Sequence, residues 1–435
     1  MIRAFSVVTR VLPAGERIEA GPQASVSQGP RLPPARTGID CVAMEMTQPA
    51  ASRMATAELL QSLVSFDTTS RNSNLALIGF VRDYLDRLGV SYRVSGDALG
   101  QKANLHAIIG PLAAGGLALS GHVDTVPVDG QSWTSDPFVL RRSDGKLFGR
   151  GSCDMKGFVA ACLAAVPDLQ AMALVRPLHL FISYDEEIGC WGARRLIQDL
   201  DESGLRPDVC VVGEPSGMKP IVAHKGKLNL DVTVRGKGGH SSEPAKGVNA
   251  VQAAGEAIAW VAREARRLAA EGPFADGFDP PHTTIHAGTM EGGTILNIIP
   301  QHAAFTMEWR FIPGDSPHHH LDRMQGWIRE TVEPAMRAVD AACGFKCEIA
   351  LEMPGMALPP DHALASVVKQ VTGSNSAGKV AYGTEGGFFE QAGIPTIICG
   401  PGDIAQAHQA DEFVAESELA ACDRFIRRLA EQLLV

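Results

Sequence analysis

The sequence predicts an α/β fold: a mixed, mainly parallel sheet flanked by helices, with a smaller ferredoxin-like α+β unit inserted into it. Apolar runs of strand length alternate with segments of helical periodicity over residues 104–213 and again over 363–434, the rhythm of a largely parallel sheet. Between them the order becomes β-α-β-β-α-β over residues 225–352, which suits a ferredoxin-like unit. Acidic and imidazole side chains gather just past the ends of the apolar runs, where parallel sheets bind ligands.

Each element has its own signal. Residues 56–66 and 74–88 carry apolar side chains at helical spacing, the second through Leu75, Ile78, Val81, Leu85 and Leu88. Strand-like runs follow at 91–95, 104–110 and 117–120. A Gly-rich loop at 149–157 opens a helix at 158–169, and 178–183 reads as a buried strand. Residues 191–200 form a helix stopped near Gly204, and 209–213 another strand. Residues 227–234 alternate as in a half-exposed strand, and 248–269 is a long Ala-rich helix. Strands at 283–288 and 303–311, a helix at 321–341 and a strand at 345–351 complete the inserted unit. Helix 363–372, strand 395–399 and helix 416–434 return to the first pattern. The expected division is a catalytic, metal-binding domain of residues 51–224 and 353–435, with an inserted domain at 225–352.

Residues 1–50 differ in kind: Pro13, Pro22, Pro30, Pro33, Pro34 and Pro49 interrupt them, and no periodicity is sustained. They lack the apolar core of a secretory signal. Either they form a disordered extension or they precede the natural start, with Met44 and Met46 just ahead of the first helix.

At 435 residues the chain is long for one core, which fits two domains. Its 45% hydrophobic and 20% charged residues are those of a soluble globular protein. A formal charge of −10 argues against a nucleic-acid or anionic-membrane surface. No apolar run approaches the ~20 residues needed to span a bilayer. Nine dispersed cysteines point to reduced thiols in a cytoplasmic protein. Cys343 and Cys347 lack a second pair to complete a zinc knuckle.

The candidate chemistry sits at strand ends. His122 follows the run 117–120, Glu186 and Glu187 follow 178–183, and Glu214 follows 209–213. His408 comes after 395–399 and a Gly-Pro-Gly loop, while Asp154 lies in the Gly-rich loop 149–157. Alone, each has a plain reading: a hydrogen-bonded loop histidine, a helix N-cap, a solvated acidic turn. Together they read as a site for two divalent metals, built from carboxylate and imidazole without a thiolate, and so as a metallohydrolase. Asp124, two residues after His122, is placed to accept the other imidazole N–H. Adjacent residues leaving a strand face opposite ways, so one of Glu186 and Glu187 can bind metal while the other moves protons. His318, His319 and His320 lie in a polar segment and read as a solvated loop.

In combination, Gly-His-Val-Asp-Thr-Val-Pro (121–127), Gly-Arg-Gly-Ser-Cys-Asp-Met-Lys-Gly (149–157), Asp-Glu-Glu (185–187), Gly-Glu-Pro (213–215) and Ala-His-Gln-Ala-Asp-Glu (407–412) carry a resemblance. They resemble the dinuclear zinc amidohydrolases, the family of acetylornithine deacetylases, succinyl-diaminopimelate desuccinylases and glutamate-releasing carboxypeptidases. The resemblance covers about residues 55–433. It implies that His122, Asp154 and Glu214 hold one metal and that Asp154, Glu187 and His408 hold the second, with Asp154 bridging. Glu186 would then be the general base. Zinc suits such ligands, and cobalt or manganese could substitute.

The resemblance also implies a homodimer formed through residues 225–352, with His240 reaching the partner subunit's site to stabilise the oxyanion. Asn297 and Arg310 would bind substrate, the arginine through an α-carboxylate. Cys153 lies outside the family's ligand set and is expected to pack. Within the family, Ala-His-Lys-Gly (223–226), the segment 238–250 and Gly-Thr-Glu-Gly-Gly-Phe (383–388) are most similar to the acetylornithine deacetylases. That implies hydrolysis of N2-acetyl-L-ornithine in arginine biosynthesis, with Glu385 facing the substrate's ammonium. Succinyl-diaminopimelate desuccinylase and a dinuclear zinc dipeptidase or carboxypeptidase are the competing readings.

Overall fold

The computed structural model describes residues 54–435; the expectations for residues 1–50 lie outside the described residues. Helices α1 (Thr56–Val64) and α2 (Leu75–Arg87) lead into strands β1 (Ser91–Gly96), β2 (Ala103–Ile109) and β3 (Leu117–His122). Short strands β4 (Arg141–Ser143) and β5 (Lys146–Phe148) precede helix α3 (Lys156–Ala171) and strand β6 (Leu178–Ser183). Helix α4 (Trp191–Ser203) and strands β7 (Val209–Pro215) and β8 (Ile221–His224) follow. Next come β9 (Gly226–Arg235), β10 (Gly239–His240), α5 (Ala250–Glu271), β11 (Thr284–Gly292), β12 (Ile298–Ile299) and β13 (His302–Phe311). Helices α6 (Pro317–Trp327) and α7 (Glu333–Val339) precede β14 (Gly344–Met353). The last elements are β15 (Met356–Ala357), α8 (Ala363–Thr372), β16 (Gly378–Val380), α9 (Gly386–Gln391), β17 (Thr396–Gly400), β18 (Phe413–Ala415) and α10 (Glu416–Leu433).

The larger sheet runs β1-β2-β6-β3-β7-β17-β8-β15, with β16 beside β8. Its centre is parallel, β6 with β3, β3 with β7 and β7 with β17, and antiparallel pairs flank it at β1-β2-β6 and β8-β15. Helices cover both faces, so the central strands are apolar on both sides. Leu117 and Leu119 of β3 join the cluster under α1, α3 and α10, whereas Ala118 joins the one under α4 and α9.

The smaller sheet is antiparallel in the order β11-β13-β9-β14. With α5 and the α6–α7 pair this is the ferredoxin-like connection, β-α-β-β-α-β. One face carries Leu228, Leu230, Val232 and Val234 of β9 against Ala254, Trp260 and Met324 of the helices. Two expectations need correction here. The helix read over 321–341 is interrupted, because Ile328–Val332 forms a π turn between α6 and α7. His318, His319 and His320 are not a solvated loop: they form the first turn of α6, capped by Ser316. His320 is buried and bonded to Asp315 Oδ2 at 2.8 Å.

Candidate metal centre

Because β3, β6 and β7 lie in parallel, their carboxyl ends open on one edge of the sheet. His122 is the last residue of β3, and its register partner Ser183 is the last of β6, just before the Asp185–Glu187 turn. Glu214 lies at the end of β7. Helix α3 starts directly after Asp154, and two glycines let its first turn press on the strands. A Cβ at Gly213 would fall 2.0 Å from the Phe158 ring, and one at Gly121 would fall 2.9 Å from the Met155 methyl. These glycines immediately precede Glu214 and His122, so the close approach that needs them also delivers Asp154 to the strand ends.

Two triads of ligand atoms result. His122 Nε2 lies 3.0 Å from Asp154 Oδ1 and 3.6 Å from Glu214 Oε1. His408 Nε2 lies 3.2 Å from Asp154 Oδ2 and 3.1 Å from Glu187 Oε2. Ligands of a tetrahedral ion at ~2.0–2.1 Å stand roughly 3.3 Å apart, close to these spacings. Asp154 presents one oxygen to each triad, and all atoms within a triad lie within 4.8 Å of one another.

The charge balance favours cations. Burial raises Glu186 to about 8, and burial with the Asp154 charge raises Glu187 to about 7. Burial likewise holds Glu214 well above the carboxylate range. Burial opposes charge on His122, yet Asp124, Asp154 and Glu214 outweigh it and hold its imidazole high. Hydrogen bonds to Asp154 and Glu187 raise His408 to about 10. A carboxylate-rich, desolvated cluster with only two imidazoles lacks positive charge, and two dications would supply it. The residues therefore fit a dinuclear metal group.

Outer partners fix the candidate ligands. The His122 Nδ1–H donates to Asp124 O at 3.0 Å, with Asp124 Oδ1 at 3.4 Å. Asp124 also accepts from Glu186 N–H at 3.0 Å, Glu187 N–H at 3.3 Å and Ser70 Oγ at 2.8 Å, so one carboxylate orients His122 and the acidic turn together. In the sequence Glu412 only closes the motif at 407–412. In the fold it is buried and accepts from the N–H groups of Gly151, Cys153 and Asp154 at 3.1, 2.9 and 3.0 Å and from Arg150 Nη1 at 2.6 Å. That nest holds the loop carrying Asp154. Cys153 is buried against the Asp403 carbonyl.

The remaining expected site residues lie apart from this cluster or beneath it. His240 and Asn297 come together on the β10–β12 ribbon, where Ser241 N–H donates to Asn297 O at 3.2 Å. Both are exposed. Arg310, near the end of β13, donates through Nε to Glu308 Oε1 at 2.7 Å. Glu385 departs from expectation. It is fully buried, and its oxygens accept from Ser120 Oγ at 2.6 Å and Ser183 Oγ at 2.7 Å. It is thus a strut between α9 and the floor formed by β3 and β6, with both oxygens engaged, and not an open contact for a substrate ammonium.

The chain also has relatives among known proteins. The chain is 35% identical over 372 residues to acetylornithine deacetylase of Photorhabdus laumondii subsp. laumondii, covering 85% of this chain and 93% of that protein. Its fold is similar to aminopeptidase PepT from Bacillus cereus, with a TM-score of 0.66 at 20% identity over 88% of this chain and 99% of that one. It is also similar to the YXEP protein of Bacillus subtilis, a dinuclear metal binding peptidase, with a TM-score of 0.61 at 15% identity over 86% and 96% of the two chains. Residues 118–432, which include all of these candidate ligands, match the model of peptidase family M20/M25/M40, and the chain belongs to that family.

Proposed function

We propose that this metal-dependent hydrolase cleaves N2-acetyl-L-ornithine to L-ornithine and acetate, the reaction named for its 35% identical relative, and so serves arginine biosynthesis in the cytoplasm. The observation that carries the reading is the pair of ligand triads sharing Asp154, with Glu186 beside them and outside both. Zinc is the proposed metal, with cobalt or manganese able to replace it. When bound, the two ions supply Lewis acidity and lower the pKa of the attacking water.

The chain's own groups do the rest. His122, Asp154 and Glu214 would hold one ion, and Asp154, Glu187 and His408 the other. Glu186 takes a proton from the attacking water and returns it to the leaving amine. Asp124 keeps His122 in the tautomer whose Nε2 lone pair faces the cluster. Arg310 would capture the α-carboxylate, and Asn297 would contact the substrate. His240 Nδ1 is engaged by Ser242, with Oγ at 2.6 Å and N–H at 3.2 Å, and Nε2 is the ring nitrogen we assign to donate to an oxyanion. Because His240 is exposed on the β10–β12 ribbon of the inserted unit, we propose that residues 225–352 form a dimerisation domain and that His240 serves the site of a second copy.

Acetate release from acetylornithine, measured beside succinyl-diaminopimelate and dipeptides, tests the reading. The highest kcat/KM should be on acetylornithine, lost on chelation and restored by Zn²⁺ or Co²⁺. Faster turnover of a dipeptide or of the succinylated substrate would replace this function with that one.

A further inference from the structure

His408 is the least enclosed ligand: its side chain is 51% exposed, and its backbone adopts a left-handed φ of 62°. Asp411, on the same loop, is also left-handed at 55°. Such conformations are strained for non-glycine residues and persist only where the surroundings impose them. The imidazole meets Asp154 and Glu187, and the loop backbone has a hold of its own.

Gln131 holds it. Its Nε2 donates to the His408 carbonyl at 2.8 Å, and its Oε1 accepts from Trp133 Nε1 at 3.1 Å and from Arg150 Nη2. The amide orientation is unambiguous, because an indole and a guanidinium only donate and a carbonyl only accepts. Arg150 is buried and also binds Glu412, whose carboxylate caps the Cys153 and Asp154 N–H groups. A continuous polar chain thus runs from the backbone of Asp154 through Glu412, Arg150 and Gln131 to the backbone of His408. Beside it, Thr134 donates to Asp411 Oδ1 through its N–H and its hydroxyl, at 3.1 and 2.9 Å.

We propose that Gln131 is the positioning residue for His408 and sets the affinity of the Asp154–Glu187–His408 metal site selectively. The proposal rests on the dinuclear reading above. Without the Gln131 amide, the His408 carbonyl turns to water and the loop relaxes toward ordinary backbone angles, which carries the imidazole off its ligand position. The His122–Asp154–Glu214 site keeps its own supports.

The test is calorimetric titration of the metal-free full chain with Zn²⁺ alone, with bound metal counted by elemental analysis after dialysis. Wild type should bind two ions, and His408→Ala sets the benchmark for loss of one site. Gln131→Ala should leave one affinity unchanged and weaken the other roughly 10–100-fold, the usual effect of losing an outer partner. Gln131→Glu keeps an acceptor for Arg150 and Trp133 but cannot donate to His408, and should show the same selective weakening. Unchanged affinities in Gln131→Ala, equal weakening of both ions, or full recovery in Gln131→Glu would each overturn the proposal. Fewer than two ions on wild type would instead remove the dinuclear reading, and this inference with it.

Discussion

Glu186 and Glu187 are neighbours with different surroundings. The Glu187 carboxylate faces His408 Nε2, whereas the Glu186 Oε1 faces the buried Cys190 thiol at 3.4 Å. Glu186→Gln should therefore retain wild-type metal content while kcat falls by more than the ~10²–10⁴-fold typical of lost acid–base catalysis. Elemental analysis beside steady-state kinetics decides it, since loss of an ion would mean that the two glutamates exchange roles. That one of the pair should face away was legible from strand alternation, but which one came only from motif resemblance. Glu385 shows the opposite case. Its Gly-rich motif looks like a substrate loop, and nothing local reveals that Ser120 and Ser183, far off in sequence, close over both of its oxygens.

Secondary structure was most legible where a single strong pattern dominates. Helix α8 begins and ends where the periodicity does, and β3, β6 and β7 stand out as apolar runs. Strands β4, β5, β8, β15, β16 and β18 span two to four residues, too short to register a period, and α9 hides in a glycine-rich stretch. The contact of α3 with β7 was equally silent, because Gly213 and Phe158 are unremarkable until the strand and helix meet. Gly213→Ala should push the α3 terminus off the strand, lowering stability by ~1–3 kcal/mol as overpacking does and reducing bound metal. Phe158→Leu in the same chain should recover part of both losses, measured by thermal unfolding and metal analysis. The β2–β6 pair makes a second prediction. His179 Nε2–H donates to Gly115 O at 2.9 Å, so its Nδ1 accepts from His106 Nε2–H at 2.9 Å. Burial lowers these rings to about 3 for His106 and about 4 for His179. Below pH ~6.5 the unfolded chain takes up protons that the native pair refuses. Stability present above that pH is then lost toward pH 4, at up to ~1.4 kcal/mol per pH unit for each ring. Replacing both by glutamine keeps the donor–acceptor chain, and denaturant melts of that variant should show a shallower acid slope than wild type.

At the scale of the molecule, the smaller sheet raises the question of what it serves. Strand β11 is one of its two edges, largely exposed, and Leu296 beside Asn297 is 98% exposed. Exposed edges and apolar tips of this kind are candidate surfaces for the proposed second copy. If the proposed dimer brings His240 to the site of the other subunit, each working centre needs a base from one chain and an oxyanion donor from the other. His240→Ala and Glu186→Gln homodimers should then both be nearly inactive, one lacking the donor and the other the base. After subunit exchange at equal concentration, half of the dimers are mixed, and in each of these one site has an intact base facing an intact His240. Activity should rise to about a quarter of wild type by this counting. Subunit exchange is verified by mass-tagged chains. If the mixed dimers form and activity stays at the level of the parents, His240 acts within its own chain or outside catalysis, and the smaller sheet would be left with a role in assembly alone.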